Sequence, residues 1–288
     1  MGTILEVKNL RKDFKDFSLK DISFSVEKGF ITGFIGPNGA GKSTTIKLIM
    51  NLLKKDNGEI KIFGLDNVKN EVDIKNRIGF VYDENHFYGE LTISEMKKII
   101  SPLYENWEED IYNKYLEKFN LPSNKKIKKL SKGMKMKFSL IIALSHQAEL
   151  FIMDEPTSGL DPIVRSELLD ILSYIIQDEN KGVFFSTHIT SDLDRIADCI
   201  VLLNKGEIVL NDTKDDILDD YTIIKGDKKT LQNISDTDFI SIKENKFGFE
   251  GLIRKEKIFN KFSKQNIVTE KPNLEDIMLY FTGRNLNE

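Results

Sequence analysis

Residues 36–43 read Gly-Pro-Asn-Gly-Ala-Gly-Lys-Ser, between an apolar strand-like run, Ile31–Ile35, and a helix-like run, Thr44–Leu53. A loop of this composition between a strand and a helix is a cradle for phosphate. Gly36, Gly39 and Gly41 allow backbone turns closed to residues with a Cβ, so that successive N–H groups can point inward at phosphate oxygens. Pro37, Asn38 and Ala40 complete the loop, and the helix entered at Thr44 adds its positive end. Lys42 supplies a flexible point charge for β and γ phosphates, and the Ser43 hydroxyl is a hard ligand suited to Mg²⁺. The ligand expected from the loop alone is Mg-ATP or Mg-GTP.

A second run, Leu150-Phe151-Ile152-Met153-Asp154-Glu155, is an apolar strand ending in two carboxylates. Strands of parallel sheets present ligands at their carboxyl ends, which places Asp154 to hold Mg²⁺, directly or through water, and Glu155 to polarise an attacking water. Phosphate loop and carboxylates together argue nucleotide hydrolysis. A third element, Leu130-Ser131-Lys132-Gly133-Met134, precedes a helix with Ser131 as a natural N-cap, making a second anion site in one chain. Two phosphate sites far apart in sequence invite dimerisation.

These residues need a scaffold. Ile4–Val26 holds two strand-like stretches about a Leu10–Phe17 turn, and Ile31–Ile35 delivers the phosphate loop. From Leu91 to His146 the pattern is helical and rich in charge, with Ile93, Met96, Ile99 and Ile100 on one face, as in an inserted helical subdomain spanning about 84–146. Sheet resumes at Leu150–Met153 and Val183–Phe185, with helices at Pro162–Gln177 and Ser191–Ala197, then a hairpin of Cys199–Leu203 and Glu207–Leu210 turning at Asn204-Lys205-Gly206. The expected fold is α/β: a P-loop NTPase core with a mostly parallel sheet over 1–212, the helical insertion, and a small α/β appendage over 213–288. In the appendage Tyr221–Ile224, Phe239–Ile242 and Phe247–Ile253 read as strands, and Asn273 caps a helix through Phe281.

The chain of 288 residues is long enough for one large or two ordinary domains, and its net charge of −4 gives no basic field for nucleic acid. A single cysteine, Cys199, excludes an internal disulfide and fits a reducing compartment. No apolar stretch is long enough to cross a bilayer, and Glu6 and Lys8 interrupt the start where a signal peptide would be apolar. A cytoplasmic protein is expected, with any membrane role exercised through a separate chain. His86 and His146 match no motif and are expected in a loop and on a helix surface. The lysines at 125, 126, 128, 129, 132, 135 and 137 read as a solvated face or as positive potential beside a neighbouring nucleotide.

In their order along residues 1 to about 212, the motifs resemble those of the nucleotide-binding subunit of an ABC transporter. They are the Walker A loop at 36–43, a signature-like Leu-Ser-Lys-Gly-Met, the Walker B strand ending Asp154-Glu155, a D-loop Ser158-Gly159-Leu160-Asp161, and a switch histidine, His188. The resemblance implies a head-to-tail dimer with a second ATPase subunit, identical or not, sandwiching two ATPs between one subunit's Walker A loop and the other's Ser131–Gly133. It further implies Glu155 as general base, His188 at the γ phosphate and water, Asp161 linking the sites across the interface, and an aromatic on adenine. Phe14 fits that place, Phe17 is its rival, and either could instead be a core phenylalanine.

Two departures stand out. Lys132 and Met134 replace the third and fifth residues of the usual Leu-Ser-Gly-Gly-Gln, while Ser131 and Gly133 remain. After the strand Ile78–Tyr82 the family carries a glutamine that contacts Mg²⁺ or the water; this chain has Asp83, which would bind Mg²⁺ more strongly than an amide yet repel the γ phosphate. The implied role is ATP hydrolysis driving an integral membrane permease subunit, with the protein peripheral on the inner face of the cell membrane. The ending Asn273–Arg284 is similar to the tails of ATPases paired with ABC-2-type exporters. The other reading is a soluble ABC ATPase that remodels a protein or nucleic-acid assembly; it is disfavoured by the short 44–130 segment, which has no room for a long coiled coil. A third is an ATP-gated binding protein that barely hydrolyses, against which Glu155 and His188 count.

Overall fold

Ile31–Ile35 (β3), Leu150–Asp154 (β7) and Gly182–Thr187 (β8) are buried at every position, as strands covered on both faces must be. They form the middle of a six-stranded sheet in a computed structural model that describes residues 2–82, 86–231, 239–256 and 267–283. The strand order is β10 (Glu207–Thr213), β9 (Cys199–Asn204), β3, β8, β7, β6 (Ile78–Val81). All neighbours run parallel except the edge strand β10, which folds back on β9 through Lys205 and Gly206, both at positive φ.

Side chains of these strands divide between two cores with the period of two that a pleated strand imposes. Phe34, Leu150, Ile152 and Phe184 face one side, and Ile35, Phe151, Met153, Val183 and Phe185 the other. The first side is covered by an antiparallel sheet, β2 (Ser18–Glu27), β1 (Thr3–Asp13), β4 (Asn57–Ile62) and β5 (Leu65–Asp66). Phe24 of β2 stacks with Phe34 and Phe184 at ring-centroid distances of 5.6 and 5.3 Å. The β1–β2 turn is shorter than the Leu10–Phe17 span expected from sequence, because both strands extend into it. The pair β4 and β5 was not anticipated: Asn-Gly-Glu-Ile-Lys-Ile offers only two apolar residues, Ile60 and Ile62, both fully buried.

Lys42–Ile49 (α1), which follows the phosphate loop, and Glu71–Asn76 (α2), which leads into β6, bury Ile46, Leu48, Ile49 and Ile74 in this same first core. Other helices cover the second side, among them Ile93–Ile100 (α3), Glu109–Lys118 (α4) and Lys132–Ser145 (α5), which make up the helical insertion. Thr92 and Glu95 close a capping box at the start of α3. On α5, Phe138, Leu140 and Ile141 are completely buried, because this helix joins the insertion to the core. Pro162–Ile175 (α6) and Thr190–Ile196 (α7) connect β7, β8 and β9.

Beyond β10 come Lys214–Asp220 (α8), a helix absent from the sequence reading, and Lys228–Leu231 (α9). They accompany an antiparallel sheet in the order β12 (Ser241–Glu244), β13 (Gly248–Arg254), β11 (Tyr221–Asp227), β14 (Ile267–Glu270). The last helix, Leu274–Thr282 (α10), carries the expected Asn273 cap in a full capping box with Asp276. Its buried Leu274, Ile277 and Tyr280 join the same cluster as Ile35, Ile200 and Leu202 of the central sheet. The tail is therefore packed on the P-loop core rather than hung from it.

Candidate nucleotide site

Adjacency in the sheet assembles the site. Ile35 pairs with Thr187 and Asp154 with Ser186 at the carboxyl ends of β3, β8 and β7, so Gly36, His188 and Glu155 emerge side by side although they lie far apart in sequence. Crevices outside the carboxyl ends of such strands are where open α/β sheets bind ligands. A cavity of about 740 Å³ opens there, lined by Pro37, Asn38, Gly39, Gly41, Lys42, Ser43 and Thr44 of the loop and by Glu155 and His188. Asp16, Phe17 and Ser158 complete the lining.

The loop conformation depends on its glycines. A Cβ on Gly36 would lie 2.2 Å from the Leu203 carbonyl oxygen, and Gly41 takes φ 113° at the N-cap of α1, which residues with side chains rarely adopt. Ala40 is buried beneath the loop and does not line the cavity. Lys42, only 6% exposed, donates to the carbonyl oxygens of Gly36 at 2.7 Å and Pro37 at 3.5 Å. Its ammonium also lies 3.2 Å from Glu155 Oε1.

Asp154 sits one layer deeper and accepts from Ser43 Oγ at 3.0 Å and from Ser186 Oγ at 2.6 Å, both on Oδ1. Ser186 in turn accepts from the Glu155 backbone N–H at 3.0 Å. That bond helps hold Glu155 at φ 48°, a left-handed conformation costly for a residue with a Cβ. Here β7 turns sharply enough to aim the carboxylate across the loop. On its far side, Glu155 Oε2 receives His188 Nδ1 at 2.8 Å. An ionised carboxylate only accepts, so Nδ1 carries the hydrogen in this pair. Glu155 thus bridges Lys42 and His188, each carboxylate oxygen facing one partner.

Ser43 and Asp154 are hard oxygen donors within one hydrogen bond of each other at the loop. Among the described residues no group of three His, Cys, Asp or Glu side chains could hold a metal ion. A cation here would therefore take one or two protein oxygens together with phosphate oxygens and water, which is how Mg²⁺ is usually bound. The residues fit the ion.

Other expected site residues lie elsewhere. Phe17, not Phe14, lines the cavity; Phe14 is 44% exposed with its ring centroid 6.3 Å from that of Phe17. Ser131 caps α5 by accepting from the Met134 N–H at 3.2 Å, and Gly133 packs so closely on α6 that a Cβ would meet Val164 Cγ1 at 2.7 Å. Neither lines the cavity of its own chain. Asp161 caps α6 through the N–H groups of Ile163 and Val164, each at 3.1 Å. Asp83 lies outside the described residues.

Lys126 and Lys128 pair with Glu90, and Lys137 pairs with Glu167. His146 is a correction. Expected on a helix surface, it is 1% exposed at the end of α5, stacked on Tyr104 at 3.9 Å with Nδ1 3.2 Å from the Asn76 carbonyl. Burial pushes its pKa down to about 4. Sequence reasoning missed Ser186, whose only signal is a hydroxyl ending an otherwise apolar strand, and Asp16 and Ser158 on the cavity wall.

Fold and site together define a P-loop nucleotide hydrolase. The family model described as ABC transporter matches residues 19–158. The bacitracin transport ATP-binding protein BcrA of Bacillus licheniformis is 34% identical over 212 residues, covering 73% of this chain and 69% of that protein. A solved ATP-binding subunit of an ABC transporter superposes with a TM-score of 0.68 at 32% identity, covering 74% of this chain and 91% of that one. The fold is also that of a dimeric ATP-binding cassette solved with ADP and Pi, at a TM-score of 0.64 and 23% identity over 73% of this chain and 98% of that one. The chain belongs to the ATP-binding proteins of ABC transporters, and is an ATP hydrolase of that class.

Proposed function

We propose that the protein hydrolyses Mg-ATP at a site shared between two ATPase subunits and powers export through a separately encoded membrane permease. The observation that carries this reading is the convergence of Lys42, Glu155 and His188 on one cavity whose lining lacks Ser131 and Gly133. In this reading each chain builds half of the site, and Ser131, exposed at the start of α5 where it caps the helix, meets a partner's nucleotide.

In this mechanism the loop N–H groups and the start of α1 hold the phosphates, and Phe17, rather than Phe14, borders the adenine. Lys42 leaves Glu155 for the β and γ phosphates. Ser43 and Asp154 would hold Mg²⁺, which supplies charge neutralisation on the β and γ oxygens; Asp83 is the further candidate ligand. Glu155, freed of Lys42, accepts a proton from the attacking water, and His188 orients that water and the γ phosphate. Ser131 and Gly133 of the other subunit close on the γ phosphate from the opposite side, with Asp161 at the seam between the sites. The partner subunit is a second copy or a related chain; nucleic acid has no place in the reading.

The relative named for bacitracin transport supports transport as the process driven, and the resemblance of the Asn273–Arg284 tail supports export. Among the described residues no helix is long and apolar enough to cross a membrane. In this reading the permease makes the crossing and this chain sits at its cytoplasmic face. Residues 1–212 form the ATPase unit in this reading, and 213–288 an accessory unit seated on it through α10.

The test mixes two inactive variants, Ser131→Arg and Lys42→Ala. In a mixed head-to-tail dimer one site carries both lesions and the other carries neither, so hydrolysis returns on mixing. A Ser131→Arg protein that alone keeps the wild-type rate would overturn the shared site.

A further inference from the structure

Charged side chains outside the nucleotide cavity tie α6 to α7. Arg165, one turn into α6, donates from Nε to Asp192 Oδ1 at 2.5 Å and from Nη2 to Ser191 Oγ at 2.7 Å. Asp192 is fully buried, and its Oδ2 has no hydrogen-bond partner among the described residues. A second tie runs from Arg195 back to Ser166 at 2.8 Å and Asp170 at 2.7 Å. That tie is exposed and weakly constraining. The first is not, because a buried carboxylate held by one guanidinium fixes the geometry of both helices.

The ends of these helices bear on the site. His188 lies two residues before α7, and the Ile189 N–H between them is held by Thr187 Oγ1 at 3.0 Å. Leu193 of α7 rests against β3 so closely that a Cβ on Gly33 would lie 2.2 Å from its Cδ2. A shift of α7 along the sheet therefore carries His188 away from Glu155. On α6, Asp161 caps the first turn and Val164, the residue next to Arg165, packs beside Gly133 of the signature, where a Cβ would meet its Cγ1 at 2.7 Å.

We propose that Arg165 is a positioning residue for His188: through Asp192 and Ser191 it sets the first turn of α7, and with it the imidazole against Glu155. Because α6 also contacts Gly133, the same bridge links the switch histidine of one site to the signature that serves the other. The inference rests on the hydrolytic roles given above to Glu155 and His188.

The experiment compares steady-state ATP hydrolysis by the full chain in wild type, His188→Ala, Arg165→Lys and the double variant Arg165→Met/Asp192→Leu, with thermal melting as the check on folding. The double variant replaces both charges by apolar groups and leaves no buried carboxylate unpaired, so it folds. Its kcat is expected to fall about tenfold to a hundredfold, as for a catalytic group misplaced by an ångström, while KM for ATP stays within about twofold. Arg165→Lys keeps a cation on Asp192 without the fork that also reaches Ser191, and its kcat falls between the two. A double variant with wild-type kcat beside an inactive His188→Ala would overturn the positioning role, as would equal losses in kcat and ATP affinity. A His188→Ala protein with wild-type kcat would overturn the reading of the histidine itself, and the positioning role with it.

Discussion

Replacing Glu155 by glutamine should tighten ATP binding as well as stop turnover. In the structure Lys42 and Glu155 are 3.2 Å apart with side chains 6% and 13% exposed, and Lys42 must leave this partner to reach phosphate. At an effective dielectric near 20 the gross attraction at that distance is ~5 kcal/mol. Glutamine keeps a neutral hydrogen bond to the ammonium and removes the charge, so only the charged-over-neutral part, about 1–2 kcal/mol, is released. That corresponds to ATP affinity raised about tenfold. Fluorescence titration with a slowly hydrolysed ATP analogue measures it, and repeating the substitution in a Lys42→Ala background separates the two possible sources of the gain. Relief of Lys42 gives no gain without the lysine, whereas simple relief of carboxylate–phosphate repulsion gives the same gain in both backgrounds. Unchanged or weaker binding by Glu155→Gln would refute the argument.

Three further outcomes are expected. Ile277→Ala, in the tail helix that shares the main core, should cost about 2–5 kcal/mol of stability while leaving ATP affinity unchanged; a folded variant that binds ATP poorly would mean that the tail helps to build the nucleotide site. Asp83→Gln should shift the Mg²⁺ dependence of hydrolysis and Asp83→Ala should lose more activity, and coincident Mg²⁺ titrations for the three proteins would remove Asp83 from the metal site. His146 has its folded pKa depressed to about 4 from 6.5, so the unfolded chain binds more protons between those values and stability falls as pH drops through that window. The loss from pH 7 to 5 should be about 2 kcal/mol by urea unfolding, and a His146→Gln protein with the same pH dependence would show that the histidine is not its source.

What could be read from sequence was what lies contiguous in it. Gly36–Ser43 and Asp154-Glu155 each carry their chemistry within a few residues, and the apolar runs leading into them fixed the strands that deliver them. Ser186 escaped because its role depends on β8 lying beside β7, a tertiary fact. The Arg165–Asp192 bridge escaped for the same reason, spanning two helices on either side of a strand. Phe14 and Phe17 lie in a four-residue turn whose side-chain directions no periodicity decides. His146 looked like a surface residue because it ends a helix among polar neighbours, whereas Tyr104 folds over it. In the tail the Asn273 cap was legible, but not that the helix it starts would bury Leu274, Ile277 and Tyr280 against the ATPase core.

Glu155 as the base of a Mg-ATP site completed by a second subunit is tested most directly by the elution volume of Glu155→Gln on size-exclusion chromatography with Mg-ATP. With the base disabled and both half-sites intact, the protein should elute as a dimer that retains unhydrolysed ATP, and as a monomer when Lys42→Ala is added. Elution as a monomer in Mg-ATP, from a variant that still hydrolyses at the wild-type rate, would contradict both the role of Glu155 and the shared site.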